Sequence, residues 1–237
     1  MIVVECQQGT PEWLAARAGV TTASNYRIAR TLARDGRTPS DTARHLAFRL
    51  AIERISGVPL DDDAPETWQM KRGQLLEDDA RILHTSEIGL RVKPVGIILT
   101  DDRKFGASAD GWIECPRLGP GGAEYKCLIG PKELEAVYID DDPSKYMDQI
   151  QGNLWLSGRK WWDFCVYCPA LESINLHFYR QRVMRDDDYI AELVADLWKF
   201  DCMVEEFREK LLVRQARREG REFVAEAADE LGVDTPY

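Results

Sequence analysis

Asp110, within Ser108-Ala109-Asp110-Gly111, and the triplet Glu124-Tyr125-Lys126 stand on either side of Pro116-Arg117-Leu118-Gly119-Pro120-Gly121-Gly122, a segment dense in turn formers. Such a segment lets the flanking strands fold back against each other. Side chains alternate between the two faces of a strand, so Glu124 and Lys126 project together while Tyr125 points the other way, into the sheet. The spacing therefore predicts that Asp110, Glu124 and Lys126 cluster. An isolated Glu-x-Lys is better explained as an ordinary pair on an exposed hairpin, and the upstream Asp in a Gly-flanked strand shifts that balance only modestly, so the rest of the chain has to decide between the two.

Two carboxylates together with backbone carbonyls form a hard oxygen set of the kind that Mg2+ or Mn2+ accepts while keeping several waters. A cation there eases deprotonation of water and offsets charge on a phosphate. The mobile ammonium of Lys126 can orient the attacking water or stabilise the transition state. The trio suits phosphodiester hydrolysis.

A formal net charge of −10 opposes nucleic-acid binding at long range. The charge is uneven, however: from Leu14 to Arg54 there are eight arginines against three acids, a local balance of +5. That predicts a basic N-terminal surface on an acidic body. Acidic runs at Asp61–Asp63, Asp140–Asp142 and Asp186–Asp188 adjoin turn signals and fit solvated loops or helix starts better than metal sites. The first residues lack a basic lead and a long apolar core, and no apolar run approaches a membrane span. A cytoplasmic protein with no membrane partner is expected. Six scattered cysteines do not form a secreted disulfide framework, and Cys165-Val-Tyr-Cys168 lies in a strand-like run where buried structural thiols are expected.

Thr10-Pro11-Glu12 opens a helix that puts Trp13 and Arg17 on one face. A second helix is predicted from Thr21 or Thr22 to near Gly36, a third from Ser40 to Gly57, and a fourth from Pro65 through Glu77 and Arg81. Strands are predicted at 90–100, 107–114, 123–128, 160–168 and 173–183, a helix at 143–157 and a long amphipathic helix from Asp188 to about Arg218. Gly73 and Glu77 share a helix face, so Glu77 can approach the sheet, or simply pair with Arg81 on an exposed helix. Tyr146, Gln149 and Asn153 form a polar stripe that a solvent-facing helix also explains. The pattern implies one α/β (α+β) domain over 1–218, with a helical N-terminal part (1–64), a core (65–183) and the long helix (184–218), followed by a flexible tail (219–237).

In order along the chain, Trp13-Leu-Ala-Ala-Arg17-Ala-Gly-Val-Thr-Thr-Ala-Ser24, Gly73-Gln-Leu-Leu-Glu77-Asp-Asp-Ala-Arg81, Ser108-Ala-Asp110-Gly, Glu124-Tyr-Lys126, Tyr146-Met-Asp-Gln149-Ile-Gln151 and Trp161-Trp-Asp-Phe-Cys-Val-Tyr-Cys-Pro169 resemble the lambda exonuclease or YqaJ-type viral recombinase family of the PD-(D/E)XK nucleases. The resemblance spans roughly residues 8–169. It implies a restriction-endonuclease-like core, a central mixed sheet flanked by helices. It also implies that Asp110, Glu124 and the main-chain carbonyl of Tyr125 bind Mg2+ (or Mn2+), with Glu77 completing the acidic cluster and Lys126 and Gln149 near the attacking water. Arg17, Ser24 and Ser108 would hold a terminal 5′-phosphate, as suits the planar donor fork of Arg. Trp13 would buttress that pocket, Tyr146 would join the DNA-contacting set, and Met70 matches an apolar position that wedges into the duplex end. Core packing is an equally good explanation for Trp13 and Met70. Ala109 replaces the Pro of the motif, which alters backbone stiffness and removes no ligand.

The function implied is a Mg2+-dependent 5′-to-3′ exonuclease on double-stranded DNA ends, leaving 3′ single strands for phage-type recombination. A homotrimeric ring and a single-strand annealing protein are the partners implied. The rivals are a RecB-like or restriction-type nuclease of the same superfamily and a DNA-end-binding module on the nuclease fold without hydrolysis.

Overall fold

The protein, seen here as a computed structural model, is described over residues 1–60 and 68–231, without the side chains of 69, 70, 74 and 221–231. The elements run β1 (Ile2–Val4), α1 (Pro11–Arg17), β2 (Thr21–Thr22), α2 (Tyr26–Ala29), α3 (Asp41–Ser56), α4 (Trp68–Ile88), β3 (Val92–Lys93), β4 (Ile97–Leu99), β5 (Phe105–Ala107) and β6 (Gly111–Cys115). They continue with β7 (Gly119–Lys126), α5 (Pro131–Tyr138), α6 (Met147–Ser157), β8 (Trp161–Tyr167), β9 (Phe178–Met184) and α7 (Asp187–Leu231). A five-stranded mixed sheet has the order β3-β6-β7-β8-β9, with only β7 and β8 parallel. A smaller sheet has the order β1-β4-β5-β2.

Strand β8 shows why the larger sheet is central. Its residues Trp161 to Val166 are all buried, as expected for a strand covered on both faces. Trp161 and Cys165 pack with Tyr125 and Ala80 of α4. Trp162, Phe164 and Val166 pack on the opposite face with Ile150 and Leu154 of α6 and Val137 of α5. The stripe Ile190, Leu193, Leu197, Phe200 and Val204 seals α7 onto the body at helical spacing, partly against α3.

Several predicted elements change. The helix expected from Thr21 to Gly36 is instead strand β2, a 3-10 turn and the four-residue α2. Thr21 and Thr22 are β-branched residues that pair with β5, and this extended pairing overrides their capping potential. The N-terminal part is therefore not all helical, since β1 and β2 belong to the smaller sheet. The strand expected over 90–100 breaks into β3 and β4 of different sheets at Pro94, which has no N–H for a ladder. Helix α5, opened by Pro131 after Gly130, was not anticipated. Helix α7 continues to Leu231, beyond the expected end near Arg218. Asp61–Asp63 and the Pro65 helix start lie outside the described residues, as does the side chain of Met70.

The turn before Glu124 is tighter than the glycines suggest, because β7 begins at Gly119. Gly121 and Gly122 are strand residues lying directly against the indoles of Trp161 and Trp162, and a Cβ at either would collide with the ring. Gly122→Ala is expected to cost about 1–3 kcal/mol by overpacking, read as a lower denaturant midpoint at unchanged m value. A wild-type midpoint would contradict this packing.

Candidate active site

The hairpin of β6 and β7 pairs Gly111 with Ala123, which brings the preceding Asp110 alongside Glu124. Oδ2 of Asp110 accepts the main-chain N–H of Tyr125 at 2.7 Å. Glu124 is buried, and its Oε1 accepts from Nζ of Lys126 at 2.7 Å and from Nε2 of Gln149 at 2.5 Å. Its Oε2 accepts from Nδ2 of Asn153 at 3.2 Å. Asp110, Glu124, Lys126 and Gln149 are thus brought together. Asn153 was read from sequence only as part of a polar stripe. It is fully buried, and its spacing one turn after Gln149 was the available signal.

Glu77 reaches the same cluster from α4, although it is also held by Arg81 at 2.6 Å, the pairing that the sequence offered as the alternative. Tyr146 stacks on Phe164 at 4.9 Å between ring centroids, with Nζ of Lys126 5.6 Å from its ring. A cleft of about 1240 Å³ reaches the cluster at Glu77 and Asp110, and Gln8, Trp13, Arg81 and Trp112 are among its other lining residues. Gln8 donates to the carbonyls of Ala109 and Val95, tying the N-terminal segment to the Asp110 loop, and no sequence signal marked it.

The electrostatics are those of like charges gathered in a poorly solvated place. Burial pushes the Asp110 carboxyl well above its usual range, with Glu124 and Glu77 adding to the shift against Lys126 and the Tyr125 N–H. Glu77 is raised by burial and by Glu124 and Asp78, with Arg81 and Lys126 opposing. For Lys126 burial works downward, but Glu124 and Asp110 outweigh it and the ammonium is held above its ordinary value. Among the described residues no three His, Cys, Asp or Glu side chains converge as a finished metal cage. The donors at hand, the Asp110 and Glu124 carboxylates, are hard oxygens of the kind a divalent cation prefers. Their mutual repulsion is what such a cation would relieve.

A second constellation adjoins the first through Ser108, two residues before Asp110. Oγ of Ser108 accepts from Nε1 of Trp13 at 2.9 Å and from Nη1 of Arg17 at 3.4 Å. Nη2 of Arg17 donates to Oγ1 of Thr22 at 3.2 Å, which is bonded in turn to Oγ of Ser24 at 3.2 Å. The guanidinium lies 4.1 Å from the centroid of the Trp13 ring. Burial lowers the Arg17 pKa to about 10, Glu53 offsetting part of the fall and Arg49 adding to it. Among the described residues Arg17 gives its hydrogen bonds to hydroxyls and to no carboxylate, so its cation has unused capacity for an anion. The basic surface expected over 14–54 is smaller than the count suggests. Arg30 pairs with Asp148 and Asp196, Arg49 with Glu53, and Arg54 with Asp201 and Glu205.

Residues 12–160 match the family described as the YqaJ-like viral recombinase domain. The chain is 34% identical over 68 residues to ExoD of Escherichia coli (strain K12), covering 29% of this chain and 68% of that protein. The crystal structure of the alkaline exonuclease LHK-Exo from Laribacter hongkongensis superposes with a TM-score of 0.73 at 28% identity, over 88% of this chain and 99% of that one. Its complex with dAMP gives 0.73 at 30% identity over the same shares. A phage related exonuclease from Haemophilus somnus 129PT, at 14% identity, shares the fold with a TM-score of 0.60 over 83% of this chain and 96% of that one. Among the described residues no helix is long and apolar enough to cross a membrane.

Proposed function

The chain belongs to the YqaJ-like viral recombinase family, and from that premise we propose that it is an exonuclease that grips the 5′-phosphorylated end of a DNA duplex and hydrolyses that strand in the 5′-to-3′ direction. A 3′ single strand would remain for phage-type recombination. The observation that carries this reading is the junction of two sites on one segment. Ser108 belongs to the hydroxyl-and-Arg17 cradle, and Asp110 to the acidic cluster. A terminal phosphate held by Arg17, Ser24 and Ser108 brings the adjoining strand to Asp110, Glu124 and Lys126.

Asp110, Glu124 and the Tyr125 carbonyl would hold Mg2+ or Mn2+, with Glu77 at the rim. The ion, when bound, supplies Lewis acidity toward water and the scissile phosphate. Gln149 and Asn153 fix the orientation of the Glu124 carboxylate. Lys126, kept protonated by Glu124 and Asp110, presents a positive charge where negative charge builds up in the transition state. Tyr146 walls this side of the site through its contact with Lys126, and Trp13 flattens one face of the phosphate cradle.

Three copies in a ring would keep a threaded duplex from leaving and would set the acidic exterior away from it. An annealing protein would take up the 3′ strand. Light scattering tests the ring, and a monomer would remove it. Digestion of linear duplexes that differ only in the 5′ group tests the activity.

The raised carboxyls also give a stability prediction for the metal-free protein. Folded Asp110 keeps its proton to higher pH than the unfolded chain does, so the native state binds more protons in that interval and stability falls as pH rises through it. In EDTA at pH 8, Asp110→Asn is therefore expected to melt above the wild type. The gain should disappear below the unfolded carboxyl pKa, about 4. Equal melting temperatures at pH 8 would contradict the crowding of charge.

A further inference from the structure

Behind the strand that carries Glu124 and Lys126 lies a chain of buried polar groups that the proposed chemistry does not use. Nε2 of His84 is 3.1 Å from Oδ2 of Asp163, and Nδ1 is 2.9 Å from the hydroxyl of Tyr125. Arg182 donates to both oxygens of Asp163 at 2.8 Å. His84 and Asp163 are fully buried. Burial disfavours the Asp163 charge, but hydrogen bonds from His84 and Arg182 outweigh it and keep the carboxyl low. An ionised Asp163 only accepts, so in the neutral ring the proton sits on Nε2 and Nδ1 accepts from the Tyr125 hydroxyl.

This chain joins the two elements whose relative placement the site depends on. Tyr125 lies between Glu124 and Lys126, and its peptide N–H is the donor to Asp110. His84 is on α4, seven residues and so about two turns after Glu77. Asp163 sits on β8 opposite Ala123, in the parallel pairing that carries the triplet. Ala80, Cys165 and Phe178 surround the chain with apolar or weakly polar groups, and the ring of Phe178 lies 6.0 Å from that of His84. An apolar core would fill this space without the desolvation cost of a buried ion pair, whereas a satisfied polar chain fixes one arrangement of helix on strand.

We infer that His84, held by Asp163 and Arg182 and bonded to the Tyr125 hydroxyl, is a positioning clamp that sets α4, and with it Glu77, against the Asp110–Glu124–Lys126 cluster. It acts through position alone, since its groups are closed off from the cleft. The inference rests on the exonuclease reading for its catalytic consequence and on the acidic cluster alone for its effect on a cation.

Tyr125→Phe, His84→Leu and Glu77→Gln, singly and with Tyr125→Phe and Glu77→Gln combined, test it. Mn2+ affinity is measured without DNA by electron paramagnetic resonance of the free ion, and kcat and KM on a linear duplex. Tyr125→Phe removes one hydroxyl and keeps the ring, so it carries the test if His84→Leu does not fold. Expected are folded variants with Mn2+ affinity and kcat each lowered about 10-fold and KM held. The Tyr125→Phe effect on Mn2+ should largely vanish in the Glu77→Gln background, the non-additivity of residues acting through one another. Folded Tyr125→Phe with wild-type Mn2+ affinity and kcat overturns the clamp and leaves the exonuclease standing. Wild-type protein that binds Mn2+ but cuts no duplex overturns the exonuclease, and the Mn2+ affinities still decide the clamp. Wild-type protein that binds no Mn2+ overturns both.

Discussion

Lys126→Ala is expected to lower kcat for duplex digestion at least about 100-fold, within the range by which a positioned acid–base group accelerates a reaction, while duplex binding survives. The reason is local. Nζ of Lys126 lies 2.7 Å from Oε1 of Glu124 and is the ammonium that counters Asp110 and Glu124 together. Without it the carboxylates face one another with less compensation, and nothing positive meets the charge that develops on the phosphate. Lys126→Arg should not restore the rate, because a planar fork does not occupy the place of a compact ammonium. Single-turnover kinetics beside a binding isotherm on the same duplex check this. Near-normal turnover by Lys126→Ala would show that the ammonium serves only the fold.

Arg17→Ala is expected to reduce the preference for 5′-phosphorylated over 5′-hydroxyl ends by about 10- to 100-fold, the equivalent of one charge-assisted hydrogen bond of about 1.5–3 kcal/mol. Arg17 is half-buried against Trp13 and bonded only to hydroxyls among the described residues, an arrangement that leaves its charge for an incoming anion. Digestion from 5′-hydroxyl ends, where that anion is missing, should change little. Equal losses on both substrates would mean that Arg17 supports the loop at Ser108 and does not read the phosphate.

The hairpin that carries Asp110, Glu124 and Lys126 was legible because its information is local. Alternation puts Glu124 and Lys126 on one face whatever the tertiary structure, and the turn formers before them can close in few ways. The Ser40 to Gly57 helix was legible for the same reason, since Ser40 caps Ala43 and Gly57 takes a left-handed conformation at its end. Thr21 and Thr22 were misread because one residue type serves both a helix start and an extended pair, and the strand that decides between them lies at Phe105 and Gly106. The cradle of Trp13, Arg17, Ser24 and Ser108 has no local signature. Its members lie up to 95 residues apart; helical spacing puts Trp13 and Arg17 on one face, but only the family resemblance joins Ser24 and Ser108 to them. His84 and Asn153 show the remaining limit: each is a polar side chain buried by distant partners, and while the one-turn spacing of Asn153 from Gln149 puts it on the right face, that spacing does not separate a buried face from a solvent one, and nothing local marks His84.

The most direct measurement is digestion of a linear duplex in Mg2+, with one set of molecules phosphorylated at the 5′ ends and an otherwise identical set carrying 5′-hydroxyls. Progressive loss of the 5′ strand from the phosphorylated ends, leaving intact 3′ single strands and sparing the hydroxyl set, is the expected result. Internal cuts, indifference to the end group, or binding without hydrolysis would each contradict a site in which the Arg17 cradle delivers a terminal phosphate to Asp110, Glu124 and Lys126.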